Sequence, residues 1–211
     1  MTVLNYSAES VHILTNELKC GRNVCIPTDT IYGIAASANS VSAIQNIFTL
    51  KNRSLTKPLA LLVNSIDMAK KYFKCNLIIE DLMKKFWPGP LTIISEKTEL
   101  ALRNTAISTA TFNNSTIGIR FPQNNLVIKI INLLNAPIFA TSINESGNPA
   151  LNDPTDIENF LTQKHQSEIY VLNQENYRHS NMASTVLKVN SNSLEILRNG
   201  DLNIDINQYS K

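Results

Sequence analysis

Apolar residues recur at helical spacing from the start of the chain. Val11, Leu14 and Leu18 share one face of a helix predicted over Ala8 to Lys19, with Ser7 as its cap and Gly21 as its stop. A short buried strand follows over Val24 to Pro27. Ser40 is placed to cap a second helix, whose Ile44, Ile47 and Phe48 lie on one side. The continuous apolar run Leu59 to Val63 reads as a strand buried on both faces, and two helical stretches come next, near Ile66 to Phe73 and Leu77 to Phe86. Trp87-Pro88-Gly89-Pro90 must end the second of these.

Further strands are predicted over Leu91 to Ser95, Ile117 to Phe121 and Ile138 to Thr141, with a helix from Leu126 to Leu134 before the last. Thr155 and Glu158 fit a capping box that starts a helix after Pro154. Ile169 to Leu172, Ser184 to Val189 and Leu194 to Arg198 complete the strand list. Strands alternate with helices through most of the chain, which predicts a mixed α/β sheet covered by helices. No internal repeat interrupts the pattern. The length of 211 residues suits one domain over 1–211, with its core over about 7–200 and a peripheral polar tail after Gly200.

Hydrophobic content of 43% with 17% charged residues lies in the globular range, so neither disorder nor a fibrous repeat is expected. A net charge of +2 is too small for a surface that coats nucleic acid, although a local basic cleft is compatible with it. Cys20, Cys25 and Cys75 form no C-x-x-C pair and His12, His165 and His179 are scattered, so no zinc spacing appears. The start of the chain lacks the basic and apolar regions of a signal peptide, and no apolar run reaches transmembrane length. A cytoplasmic protein with no membrane partner is expected.

Lys51, Arg53 and Lys57 in KNRSLTKPLALLV have no acidic residue among them, so an anionic ligand is one reading and a solvated loop the other. No G-x-x-x-x-G-K-[ST] loop occurs, so phosphates would have to meet side-chain cations. Ser142 and Asn144 in ATSINESG follow a predicted strand end, where α/β sheets place their ligand crevices, although Ser, Asn and Gly are also ordinary turn residues. Thr30 and Tyr32 stand in PTDTIYG, whose alternation also fits a plain strand. Asp29 between the threonines reads as a turn or cap residue and is given no proton-transfer role. Thr116 and Arg120 in TIGIRFP, four apart, share a face if extended.

These segments, together with FWPGPLTIIS, ASTVLKV and ILRNG, resemble in order the YrdC/TsaC-like family of threonylcarbamoyl-AMP synthases. The resemblance spans Pro27 to Gly200. It implies a YrdC-like α/β domain, a twisted mixed parallel and antiparallel sheet flanked by helices around a basic concave cleft. It further implies a nucleotidyltransferase that joins L-threonine, bicarbonate or CO2 and ATP into threonylcarbamoyl-AMP and pyrophosphate, with Mg2+ on the ATP. The product would serve threonylcarbamoyladenosine formation next to the anticodon of tRNA, reached indirectly through a downstream threonylcarbamoyl-transferase complex.

On the residues that match, the resemblance gives Lys51, Arg53, Lys57, Thr116, Ser142, Asn144 and Arg198 to ATP, with Lys51 and Arg53 as the catalytic pair. It gives Thr30, Tyr32, Arg120 and Ser184 to threonine, and no residue to a metal. Two positions depart from the pattern: Lys188 where the family usually has aspartate, and Asn199 where proline usually follows the arginine. The competing reading is a non-catalytic RNA-binding module using the same cleft. Low net charge and the lack of an RRM, KH or aromatic stacking motif argue against it.

Overall fold

The computed structural model describes residues 3–54, 56–112, 114–174, 180–190 and 193–209. His179 lies outside them. Ten strands form one mixed sheet: β1 (Val3–Asn5), β2 (Val24–Ile26), β3 (Gly33–Ser37), β4 (Ala60–Leu62), β5 (Leu91–Glu96), β6 (Thr116–Arg120), β7 (Ile138–Ser142), β8 (Tyr170–Asn173), β9 (Thr185–Val189) and β10 (Leu194–Arg198). Their order is β1-β8-β2-β3-β7-β4-β6-β5-β9-β10. β1/β8, β2/β8, β4/β6 and β5/β9 are parallel; the remaining neighbours are antiparallel.

Among the described residues eight α-helices connect them: α1 (Ala8–Lys19), α2 (Val41–Leu50), α3 (Ile66–Lys70), α4 (Leu77–Phe86), α5 (Glu99–Arg103), α6 (Thr105–Thr111), α7 (Asn125–Leu134) and α8 (Pro154–Gln163). Most begin on a side chain that accepts from the first turn, including Ser7, Ser40, Ser65, Asn76 and Asn124. For α8 the cap differs from the expected Thr155. Asp153 accepts from the amides of Thr155 and Asp156, and Pro154, which has no amide to satisfy, takes the first helical position.

Strand alternation divides the sheet into two unlike faces. Ile34, Leu61, Ile93, Ile117, Ile119, Phe139 and Leu187 turn to one core, filled from above by α2, α4, α6 and α8. Val24, Ile26, Ala35 and Ile138 turn the other way, under α1 and α7, whose Val11, Leu14, Leu18, Leu126, Val127, Ile130 and Ile131 seal them. These two helices pack on each other and cover only part of that face. The rest of it, from Gly33 across β4 and β6 to Val186, is open and forms a cavity.

Four elements lie outside those that the apolar pattern predicts. β1 is a three-residue edge strand, β3 is the small-residue run GIAAS buried on both faces, and α5 and α6 carry too few large apolar residues to show a periodic stripe. No described helix is long and apolar enough to cross a membrane.

Candidate active site

The cavity has a volume of about 390 Å³ and follows the sheet's period of two. Its floor consists of Gly33, Ala60, Gly118 and Ala140, with Leu62, Thr92, Ile94 and Val186 around them. Small side chains make the hollow: a Cβ on Gly118 would lie 3.3 Å from both Ile94 and Thr92. The size falls in the range of small-molecule sites, roughly 300–1,000 Å³.

Among the described residues, Arg53, Arg120 and Arg198 reach it and no carboxylate lines it. Arg53 follows α2, where Lys51 is the C-cap and Asn52 takes a left-handed turn (φ 47°). Its Nε donates to the Lys57 carbonyl at 2.8 Å and its Nη2 to the Pro58 carbonyl at 3.1 Å, which fixes the guanidinium without neutralising it. Arg198 ends β10 beside a bulge and donates from Nε to the Ser184 carbonyl (2.9 Å) and from Nη2 to Ser184 Oγ (3.0 Å). Thr92 Oγ1 stands 2.8 Å from the same Oγ, so Ser184 is held from two sides. Gly200 lets the chain after β10 return over this spot, since a Cβ there would meet the Ala183 carbonyl at 2.2 Å.

Burial, and then the neighbouring guanidinium, lowers the pKa of Arg53 beside Arg198 and of Arg198 beside Arg120. The like charges are held together by the fold, and an anion among them relieves the repulsion.

Arg120 ends β6, almost buried. Its Nε donates to the Gly89 carbonyl at 3.1 Å and its Nη1 to Thr30 Oγ1 at 2.8 Å. Its Nη2 lies 2.5 Å from Asp29 Oδ1 in an ion pair. Asp29 Oδ2 accepts from the Gln123 amide at 3.1 Å. The alternation of TDTIYG, which also fits a plain strand, forms none before Gly33. Thr28 Oγ1 accepts from the amides of Thr30 and Ile31 and folds the segment into a turn that brings Asp29 and Thr30 to Arg120. Tyr32 is a lining residue packed into the core, and its hydroxyl donates to the Leu172 carbonyl at 3.2 Å.

Ser142 ends β7 and Asn144 follows it; both line the cavity. Ser142 Oγ donates to Asn144 Oδ1 at 2.8 Å, and Asn144 Nδ2 to the Asn148 carbonyl at 2.5 Å. Lys51 is 1% exposed and lies behind this loop, outside the cavity lining. Its Nζ donates to the Ser142 carbonyl, to the Asn144 carbonyl (2.9 Å) and to Asn144 Oδ1 (2.5 Å). Burial first, and Arg53 second, push its pKa down to about 7.

Of the residues singled out from sequence, Arg53, Tyr32, Arg120, Ser142, Asn144, Ser184 and Arg198 line this one cavity. Thr30 joins it through Arg120. Lys57 and Thr116 stand outside the lining: Lys57 is exposed and serves Arg53 through its carbonyl, and Thr116 is two residues beyond Gly118 on the same strand face. Lys188 sits opposite Glu195 across the β9/β10 ladder, also outside the lining. Thr28, Thr92 and Asn148 are lining residues that the motifs did not mark. For Thr92 a signal existed, because it shares a strand face with Ile94 inside LTII.

A family model, Sua5_yciO_yrdC, described as "Telomere recombination", matches residues 16–200. Threonylcarbamoyl-AMP synthase of Pyrococcus abyssi is 33% identical over 141 residues, 66% of this chain and 40% of that protein. The Mus musculus threonylcarbamoyl-AMP synthase is 32% identical over 138 residues, 65% of this chain and 47% of its own length. The chain thus spans less than half the length of these two relatives. Among solved structures, P. abyssi Sua5 complexed with L-threonine superposes with a TM-score of 0.84 at 27% identity, covering 96% of this chain and 58% of that one. E. coli YciO shares the fold at 18% identity, with a TM-score of 0.80 and coverage of 99% and 98%.

Proposed function

Since the chain belongs to the Sua5/YciO/YrdC family, we propose that it is an L-threonylcarbamoyladenylate synthase. It forms threonylcarbamoyl-AMP and pyrophosphate from L-threonine, bicarbonate or CO2, and ATP. The product passes to a threonylcarbamoyl-transferase complex for tRNA modification next to the anticodon, in the cytoplasm. The observation that carries the reading is a cavity lined, among the described residues, by three guanidiniums and no carboxylate, with hydroxyl and amide groups beside them.

Arg53 and Arg198, with Ser142 and Asn144, take the triphosphate. Planar guanidiniums suit phosphate oxygens in pairs, and fixed donors aimed at charge that grows on the leaving pyrophosphate lower the barrier without reorganisation. Arg120, Thr30 and Ser184 hold threonine, with Arg120 at its carboxylate. The neutral threonine amine attacks the carbon of CO2 with loss of a proton, or of bicarbonate with loss of water, and the resulting carbamate oxygen attacks the α-phosphorus as its bond to pyrophosphate breaks. Alignment and charge neutralisation supply the rate, so no nucleophilic side chain is required. Mg2+ enters as part of the nucleotide substrate. Such an ion would keep its ligands on phosphate oxygens and water.

The test is incorporation of labelled bicarbonate into an adenylate. Incorporation that requires both threonine and ATP, with matching pyrophosphate, is the expected result. Label that never depends on threonine, or no pyrophosphate at all, would sink the reading; tight salt-dependent binding of RNA without either product would favour the non-catalytic alternative.

A further inference from the structure

Lys51 is a cation buried among protein oxygens. All three of its ammonium protons have acceptors, and every acceptor belongs to Ser142 or Asn144. Its own carbonyl accepts from the Ser146 amide at 2.9 Å, so the residue grips the same loop with main chain and side chain alike. The loop has few other ties. Leu151 N–H donates to the Ile143 carbonyl, Asn148 N–H to the Glu145 carbonyl and Asn144 Nδ2 to the Asn148 carbonyl, Lys164 Nζ pairs with Glu145 at 3.2 Å, and Gly147 turns it with φ +102°. The two side chains that Lys51 holds, Ser142 and Asn144, are also two of the polar groups facing the cavity.

An ammonium that is spent on three protein oxygens, at 1% exposure, cannot reach a phosphate unless those bonds break. Such a group acts by placing its acceptors. We propose that Lys51 is a positioning residue, which fixes the 142–148 loop in the shape that presents Ser142 and Asn144 to the nucleotide and does not itself touch the ligand. The nucleotide part of this statement rests on the synthase reading above; the loop part does not.

Two measurements separate the possibilities. The first needs no ligand: amide hydrogen exchange on the whole chain and on Lys51→Met, which keeps the apolar stem and deletes the ammonium. The amides of Ser146, Asn148 and Leu151 lose protection in the variant while those of β3 and β6 keep theirs. Unchanged protection of the loop overturns the proposal. Should Lys51→Met fail to fold, Asn144→Ala removes one acceptor from the other end and must loosen the same amides; if it leaves them protected, the proposal is equally overturned.

The second measurement is a double-mutant cycle read by calorimetry with a non-hydrolysable ATP analogue and Mg2+. Lys51→Met and Asn144→Ala each weaken binding by roughly tenfold, the scale of one charge-assisted bond. The double variant is no weaker than the worse single one, because both changes release the same loop. In turnover, KM for ATP rises while KM for threonine holds. Losses that multiply in the double variant mean that Lys51 meets the phosphates independently, which overturns the proposal. Failure of the wild-type protein to bind the analogue instead sinks the nucleotide reading, and the exchange experiment alone then decides the role of Lys51.

Discussion

Two parts of one cavity hold their cations in different ways. Arg53 and Arg198 are fixed by carbonyls and, for Arg198, a serine hydroxyl, all neutral groups. Arg120 is fixed by a carbonyl, a threonine hydroxyl and the carboxylate of Asp29. The first arrangement orients charge and leaves it uncompensated, which suits a ligand that brings several negative charges. The second orients charge and cancels most of it, which suits a ligand carrying one carboxylate and one ammonium. Compensation also changes what each arginine does for the empty protein: the Arg120–Asp29 pair is part of the fold, whereas Arg53 and Arg198 are a strain that the fold carries.

The contrast breaks most readily at Asp29. Replacing it with Asn leaves the Arg120 charge buried beside a neutral group, and loss of one partner from a buried pair costs about 3–5 kcal/mol. Urea unfolding of Asp29→Asn should therefore show that scale of loss; a variant as stable as wild type would mean that the pair is solvated and the contrast false. Arg53→Ala should do the reverse. Its unfolding free energy should change little, while nucleotide binding measured by calorimetry weakens by about 1.5–3 kcal/mol, the worth of charge-assisted contacts. Full pyrophosphate release by this variant would remove Arg53 from the phosphate site.

A smaller change sharpens the boundary between the two parts. Ser184 is shared by Thr92 and Arg198, so Thr92→Val should free its hydroxyl from one side and raise KM for threonine by about 0.5–1.5 kcal/mol in equivalent binding energy. An effect confined to ATP would assign Ser184 to the nucleotide instead.

Lys51 adds a pH dependence to the comparison. Lys51 has a native pKa of about 7 against an ordinary value of 10.5, so between those values the unfolded chain holds a proton that the folded chain has released. Stability must then rise with pH across that window and be insensitive to Lys51 below it. Unfolding of wild type and Lys51→Met at pH 6.5 and 9 checks the sign: the slope belongs to the wild type and is missing from the variant.

Much of this was legible in the chain. Helices α1, α2, α4 and α7 were written by apolar spacing and by their caps, because both are local properties of a few consecutive residues. The motif residues Arg53, Arg120, Ser142, Asn144, Ser184 and Arg198 were marked by order and by resemblance, and they do share a cavity. The strand β3 was not legible, since GIAAS is small and buried on both faces and carries no alternation. Nor was the turn at Thr28, whose hydroxyl organises Asp29 and Thr30 through bonds that composition does not announce.

By itself the sequence determined which residues alternate to one side of each strand and which cations lack a local partner. Only the tertiary structure decided that α1 and α7 stop short of covering their face, so that the same alternation is a dry core under the helices and a charged hollow beyond them. It also decided that Lys51 turns inward to carbonyls while Arg53, two residues on, turns to the cavity. The reason is that burial and neutralisation depend on groups far apart in the chain, Lys51 with Asn144 and Arg120 with Asp29, which meet only when the sheet is assembled.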